Sequence, residues 1–378
     1  LSYPVLTVDL EKINANTRAI VRVCNKANIE TVGVVKACLG SLAVAKAMVA
    51  GGAAIIGDSR LANLKQLRAL EVPLMMLRQP MLSEIKEAVL VADYFLVSEM
   101  EAVKRLALEA KSAGKIAAKK PKVILMVELG DLREGVLPAD VDGFAESIVE
   151  LDGIDLVGLG ANVACLQGVP PTPEMLDRLV FLAERLRERL GIEIPVVSGG
   201  NSSAWKLLAK GSLPAGINQL RFGEGILLGQ ETIDMDHIDD TFQDAITLSA
   251  EIIEIKDKPV DSVSCSGARV AGGPVDKVSR FGVQNDNAVD GRQLNTVQTT
   301  TQMRKRAILA LGSQDISNGK LRPTDIGIEI LRRSSDHLVV GIDNADKTYA
   351  VGDCIDFIPS YEALLAAMTS PFVGKRFC

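Results

Sequence analysis

The chain has 378 residues, 47% of them hydrophobic and 24% charged, with a formal net charge of -6 and a pI near 5.3. That length allows two domains or one large barrel with an appendage, and the charge balance leaves no electrostatic footprint for nucleic acid. The longest apolar stretch, around residues 43–56, is interrupted by Lys46 and the pair Gly51-Gly52, so it cannot span a bilayer. Cys24, Cys38, Cys165, Cys265, Cys354 and Cys378 show no CxxC spacing. In a chain of this size they are expected to be reduced thiols in the cytoplasm, with no signal peptide visible and no metal site.

From residue 31 to residue 229 short β-branched runs alternate with amphipathic helical patterns. In chain order the strand candidates are 32–35, 54–56, 74–77, 94–97, 123–127, 155–159, 195–197 and 219–222, eight in all. The helical stretches include 99–113 and 173–190, with apolar residues three and four apart. Strands buried on both faces read as continuous apolar runs, and alternation with helices implies a parallel sheet. The expected fold class is α/β, a (β/α)8 TIM barrel over residues 11–232. A doubly wound open sheet would require a Gly-rich phosphate turn after the first strand, where Lys36-Ala37-Cys38-Leu39-Gly40 stands instead.

Catalytic groups of such barrels lie at the carboxyl ends of the strands. Those positions hold Lys36, Arg78, residues 128–133, Asn162, residues 198–203 and residues 221–224. Lys36 closes an apolar run, where partial desolvation would favour its neutral, nucleophilic amine. Ser198-Gly199-Gly200-Asn201-Ser202-Ser203 and Gly223-Glu224-Gly225 offer hydroxyls and close backbone approach to a phosphate. A Schiff-base lysine opposite a phosphate cradle describes a pyridoxal phosphate site. Arg78 and Glu99 read as rim ion-pair residues, although a rim carboxylate also suits recognition of a diamine.

After Glu231 the pattern changes. Residues 250–255, 306–311, 338–342 and 354–358 are strand-like without alternating helices. Residues 233–378, with the N-terminal strand 1–10, are therefore expected to form a C-terminal, mostly β domain. Within it, 262–303 is rich in Ser, Gly, Asn, Gln and Thr and reads as a long loop or insertion.

Several segments resemble motifs of the alanine racemase superfamily of fold-type III pyridoxal phosphate enzymes, and more closely its ornithine/alanine racemase branch. They are residues 3–10 with Ile13 and Asn16, Val34-Val35-Lys36-Ala37, residues 127–133, Asn201-Ser202, Arg221-Phe222-Gly223, Ser335-Asp336-His337 and Tyr361-Glu362. The resemblance covers nearly the whole chain. It implies that Lys36 carries the cofactor and serves as one acid/base on Cα. It implies Arg221 at the pyridine nitrogen, and Asn201, Ser202, the amides of Gly223 and Glu224, and Tyr361 around the phosphate. Arg133 would meet the cofactor's phenolic oxygen or the substrate carboxylate, with Ser335 and Asp336 as further substrate-binding candidates. Read from the residues alone, Arg133 is also open to a surface ion pair with Glu134 or Asp131.

The departures matter too. Gly40 replaces an aromatic hydroxyl, Met126 stands where the family often has a modified lysine, and Asn162 takes the place of a histidine that stacks on the pyridine ring. Racemisation needs proton donors on both faces of a planar carbanion, and the family uses a tyrosine from the partner subunit. The aligned residue is Ser313, a poor base alone; Asp315, His337 or Cys265 could assist or replace it, and His337 has the most suitable ordinary pKa. The implied activity is pyridoxal phosphate-dependent racemisation of ornithine or another basic amino acid, in a head-to-tail homodimer with shared sites. Two alternatives stay open: a non-catalytic pyridoxal phosphate-binding homeostasis protein, and a decarboxylase of the same fold, which would place a carboxylate where Arg221 stands.

Overall fold

The computed structural model describes residues 2–113, 120–164, 168–259 and 303–378. The first strand, β1 (Val5–Val8), leads into the helix Leu10–Lys26, whose N-terminus is capped by the Asp9 carboxylate accepting the Lys12 N–H at 3.0 Å. Eight parallel strands then close a barrel in sequence order. They are β2 (Glu30–Val34), β3 (Ile55–Asp58), β4 (Leu74–Met76), β5 (Tyr94–Val97), β6 (Lys122–Val127), β7 (Asp155–Ala161), β8 (Val196–Ser198) and β9 (Gln219–Phe222). Closure comes from β9 pairing with β2, with Phe222 opposite Gly33. The runs read from the sequence are these strands, their ends displaced by no more than two residues.

Two apolar layers hold the barrel. Inside it, Val32, Ile55, Met75, Leu96, Ile124 and Met126 form one cluster, each nearly inaccessible to water. Burying a side chain of that size is worth about 1.5–3 kcal/mol. Outside it, alternate strand residues pack against the helices, among them the helix Pro173–Leu190, which starts on a Thr172 cap with proline in its first turn. Side chains alternate across a strand, so each inward column passes from this core to the barrel mouth within two residues. Along β2 the column runs Val32, Val34, Lys36.

The C-terminal sheet is organised around the long strand β10 (Ile246–Pro259). With β11 (Met303–Leu309), β12 (Leu321–Pro323), β13 (Glu329–Arg333), β14 (Leu338–Gly341) and β15 (Cys354–Pro359), it gives the order β12-β15-β10-β11-β14-β13. β1 joins this sheet, antiparallel to β10 and parallel to β16 (Gly374–Phe377). The helix Tyr361–Thr369 leaves the sheet and packs against the turn at Lys36. The expected loop at 262–303 lies outside the described residues, except that Met303 opens β11. No helix among the described residues is long and apolar enough to cross a membrane.

Candidate active site

The carboxyl ends of the barrel strands surround a cavity of about 660 Å³, a size suited to a cofactor with a small substrate. Lys36 reaches it from a tight turn, Lys36–Cys38, that follows β2 directly. The turn is anchored by the Val35 N–H donating to the Gly57 carbonyl at 3.0 Å and by the buried side chains of Ala37 and Cys38. Lys36 itself is exposed toward the cavity, not desolvated as its strand-end position suggested, because the column of β2 has cleared the core by that point. Its ammonium makes no hydrogen bond or ion pair with the described residues, while its charge acts on the Asp58 and Glu224 carboxylates.

β9 abuts β2, which brings the next group of residues beside this turn. A Cβ on Gly223 would stand 3.3 Å from the Val34 Cβ. The Gly225 N–H donates to the buried Ser202 hydroxyl at 3.1 Å, and a Cβ on Gly225 would press to 3.3 Å from that same oxygen. Asn201, Ser202, Gly223, Glu224 and Tyr361 all line the cavity. Asn201 also shapes the loop, accepting the Ser203 N–H at 2.8 Å and donating to the Val163 carbonyl at 3.1 Å. Burial raises the Glu224 carboxyl above its ordinary pKa, the Gln230 amide opposes this, and the neighbouring charges of Glu362 and Glu231 add to it.

Arg221 points into the barrel from β9 and is buried. Its guanidinium donates to the Ala161 carbonyl at 2.8 Å, to the Asn162 side-chain oxygen at 2.7 Å and to the Ser198 hydroxyl. Ser198, read from the sequence as phosphate-loop material, therefore serves the arginine. The Asn162 amide in turn donates to Glu134, which is paired with Arg133. Arg133, Glu134, Asn162 and Arg221 all face the cavity. Glu134 carries no signal in the sequence beyond its adjacency to Arg133. Met126 lies in the barrel core. Arg78 lines the mouth and is paired with Glu84 at 3.4 Å.

Ser313, Asp315, Ser335, Asp336 and His337 gather elsewhere, in the C-terminal domain. The Ser313 N–H donates to the Ser334 carbonyl at 2.9 Å and the Gln314 N–H to the Ser335 carbonyl at 3.0 Å. None of the five lines the cavity of its own chain. Asp315 is engaged as a cap, accepting the Gly312 N–H at 2.8 Å, and the Ser335 hydroxyl donates to Asp336 at 2.9 Å. Cys265 lies outside the described residues.

Residues 8–230 match the family model for the alanine racemase N-terminal domain. The chain is 37% identical to an ornithine racemase from Acetoanaerobium sticklandii over 375 residues, covering 99% of both. The chain belongs to the alanine racemase family. It is equally 37% identical to a lysine racemase from Thermotoga maritima over 377 residues, covering 99% of this chain and 98% of that one. Its fold is similar to an alanine racemase from Clostridium difficile (TM-score 0.68, 20% identity, 100% of this chain and 96% of that one). It is also similar to a D-threonine aldolase from Filomicrobium marinum (TM-score 0.70, 17% identity, 100% and 92%).

Enzymes of this family use pyridoxal phosphate, and the cavity's donor set fits that group. An amine with no protein partner among the described residues, a buried guanidinium, the hydroxyls of Ser202 and Tyr361 and a glycine-walled cradle converge on one space.

Proposed function

We propose that this chain is a pyridoxal phosphate-dependent racemase of basic amino acids, ornithine and lysine foremost. The carrying observation is that Lys36, Ser202, Arg221 and Gly223, contributed by the neighbouring strands β2, β8 and β9 and the turns after them, line one cavity. Full-length likeness to an ornithine racemase and a lysine racemase supports the choice of substrate.

When bound, the cofactor's ring draws electrons from the substrate's α-carbon and so acidifies its proton. Lys36 would hold the cofactor and carry that proton on one face of Cα. Arg221 would meet the ring nitrogen; a permanently charged guanidinium leaves that nitrogen without a proton and limits how long charge is stored in the ring, which suits immediate return of the proton. Ser202, Asn201, the amides of Gly223 and Glu224, and Tyr361 would hold the phosphate. Arg133 would orient the substrate carboxylate or the cofactor's phenolic oxygen.

The opposite face of Cα needs a second acid/base. We assign it to the Ser313–His337 cluster of a partner subunit, because the same cluster stands apart from the cavity of its own chain. That reading makes the working unit a homodimer with shared sites.

The test is loss of optical activity with L-ornithine, L-lysine, L-alanine and L-serine, alongside exchange of the Cα hydrogen in deuterated solvent. Borohydride reduction of the holoprotein, followed by peptide mapping, should label Lys36. Exchange without racemisation would remove the racemase, and carbon dioxide release would identify a decarboxylase. Absence of exchange with all four would leave a carrier protein.

A further inference from the structure

We propose that Glu134 is a positioning residue that fixes Arg133 and Arg221 in one array through Asn162, an inference that rests on reading the cavity as a cofactor site. Glu134 accepts from the Arg133 side chain with both carboxylate oxygens, one of these contacts being 2.8 Å. The same carboxylate accepts the Asn162 amide N–H. Asn162 then uses its oxygen to accept from the Arg221 guanidinium at 2.7 Å.

The polarity of this chain permits one arrangement. A guanidinium can only donate and an ionised carboxylate can only accept, so the Asn162 amide must present its nitrogen to Glu134 and its oxygen to Arg221. Flipping the amide would set two donors against each other at one end and two acceptors at the other. Removing Glu134 takes away one of the two bonds that fix the amide, so the Asn162 oxygen is held less firmly against Arg221.

Both ends of the array are held rigidly. At one end, the loop after β6 is closed by the Val136 N–H donating to the Met126 carbonyl at 2.9 Å and by the Glu128 N–H donating to the Val136 carbonyl at 2.9 Å. The Glu128 carboxylate also accepts the amides of Gly130 and Arg133. Gly135 turns the loop back with φ +135°, where a Cβ would lie 2.5 Å from the Glu128 nitrogen. At the other end, Arg221 is buried and tied to the Ala161 carbonyl and the Ser198 hydroxyl.

The four members come from three strands, Arg133 and Glu134 after β6, Asn162 after β7 and Arg221 on β9, and together line the cavity wall. An exposed ion pair between adjacent residues would by itself do little. What gives Glu134 leverage is its second bond, to an amide that grips a buried cation.

The experiment is pyridoxal phosphate binding by the full-length protein, read as dissociation constant and as the visible absorption band, which reports the field at the ring. Glu134→Ala and Asn162→Ala should each weaken binding on the order of tenfold and displace the band in the same direction, as expected for losing a hydrogen bond to a charged group. The double variant should match Asn162→Ala, because both substitutions cut one chain. Glu134→Gln, which keeps an acceptor for Asn162 but loses the charge facing Arg133, should fall between wild type and Glu134→Ala. A crystal structure of Glu134→Ala without cofactor should show the Asn162 side chain displaced, with Arg221 still on the Ala161 carbonyl and the Ser198 hydroxyl.

A well-folded Glu134→Ala protein with unchanged constant and band would overturn the proposal. So would single-variant effects that simply add. Failure of the unsubstituted protein to bind the cofactor would instead remove the reading of the cavity itself.

Discussion

Asn16 and Phe242 exchange hydrogen bonds in both directions: the Asn16 amide donates to the Phe242 carbonyl at 2.9 Å, and the Phe242 N–H donates to the Asn16 oxygen at 2.6 Å. A third bond runs from the same amide to the Ile226 carbonyl at 2.9 Å. One fully buried side chain thus ties the first helix to the segment that leaves the barrel toward the C-terminal sheet. Asn16→Leu keeps the volume and leaves three backbone groups without partners. The expected loss is about 2–4 kcal/mol in denaturant unfolding. A loss below about 1 kcal/mol would show that water or a shift of the segment replaces these bonds.

The glycines separate a crowded site from an open one. At Gly225 an added Cβ would sit 3.2 Å from Ile238 and 3.3 Å from the Ser202 hydroxyl, whereas at Gly143, exposed in the helix Val141–Val149, it would meet nothing within 4 Å. Gly225→Val should weaken pyridoxal phosphate binding by roughly tenfold or more, since overpacking of this kind costs about 1–3 kcal/mol. Gly143→Ala should leave binding alone and raise stability by about 0.5–1 kcal/mol through helix propensity. Titration of both variants, followed by thermal unfolding, checks the pair; equal effects on binding would show that the cradle does not lie at Gly225.

The barrel is legible because parallel strands covered on both faces are largely apolar runs, as in β4, β5 and β6, while β9, with Gln219 and Arg221, is read from its place in the alternation with helices. The short strands β12, β13 and β16 are not legible, since sequences such as Leu321-Arg322-Pro323 and Gly374-Lys375-Arg376-Phe377 are half-exposed and carry no run to read. Motif and strand-end position single out Lys36, Ser202 and Arg221, and the family resemblance singles out Tyr361; all four line the cavity. The contacts of Glu134 and Ser198 are not legible there because they depend on partners in other strands: Asn162 for Glu134, and Arg221 for Ser198. Spacing along one segment carries no record of such a contact.

Asp58 gives the protein a pH-dependent stability with a definite sign. It is fully buried at the end of β3, with one oxygen accepting the Arg60 N–H at 2.9 Å and the Asn63 amide at 3.0 Å, and the other without a partner. Burial raises its carboxyl above 3.8, outweighing those hydrogen bonds and the charge of Lys36. The folded state therefore holds a proton that the unfolded chain has released. This contribution to stability is complete below pH 3.8 and is lost as pH rises through the folded value. Asp58→Asn carries no such titration. Relative to wild type it should gain stability steadily above pH 3.8 and then level off; a constant difference from pH 4 to pH 8, or one of opposite slope, would contradict the burial argument.

Cys38 lies two residues from Lys36, which invites a nucleophilic role that its surroundings oppose. It is buried, and burial with the nearby Asp58 charge pushes its thiol up to about 12. Cys24, also buried, is pushed up to about 11 by desolvation, partly offset by the neighbouring Thr31 hydroxyl. Cys378 is exposed. Thiolate is the reactive form, so neither buried cysteine supplies enough of it near neutrality. Alkylation of the native protein at pH 8 with iodoacetamide, read by peptide mass spectrometry, should label Cys378 and spare Cys24 and Cys38. Both should react once denaturant opens the barrel. Labelling of Cys38 ahead of Cys378 in the folded protein would mean that the turn carrying Lys36 opens far more readily than its packing implies, and that Ala37 and Cys38 do not anchor it.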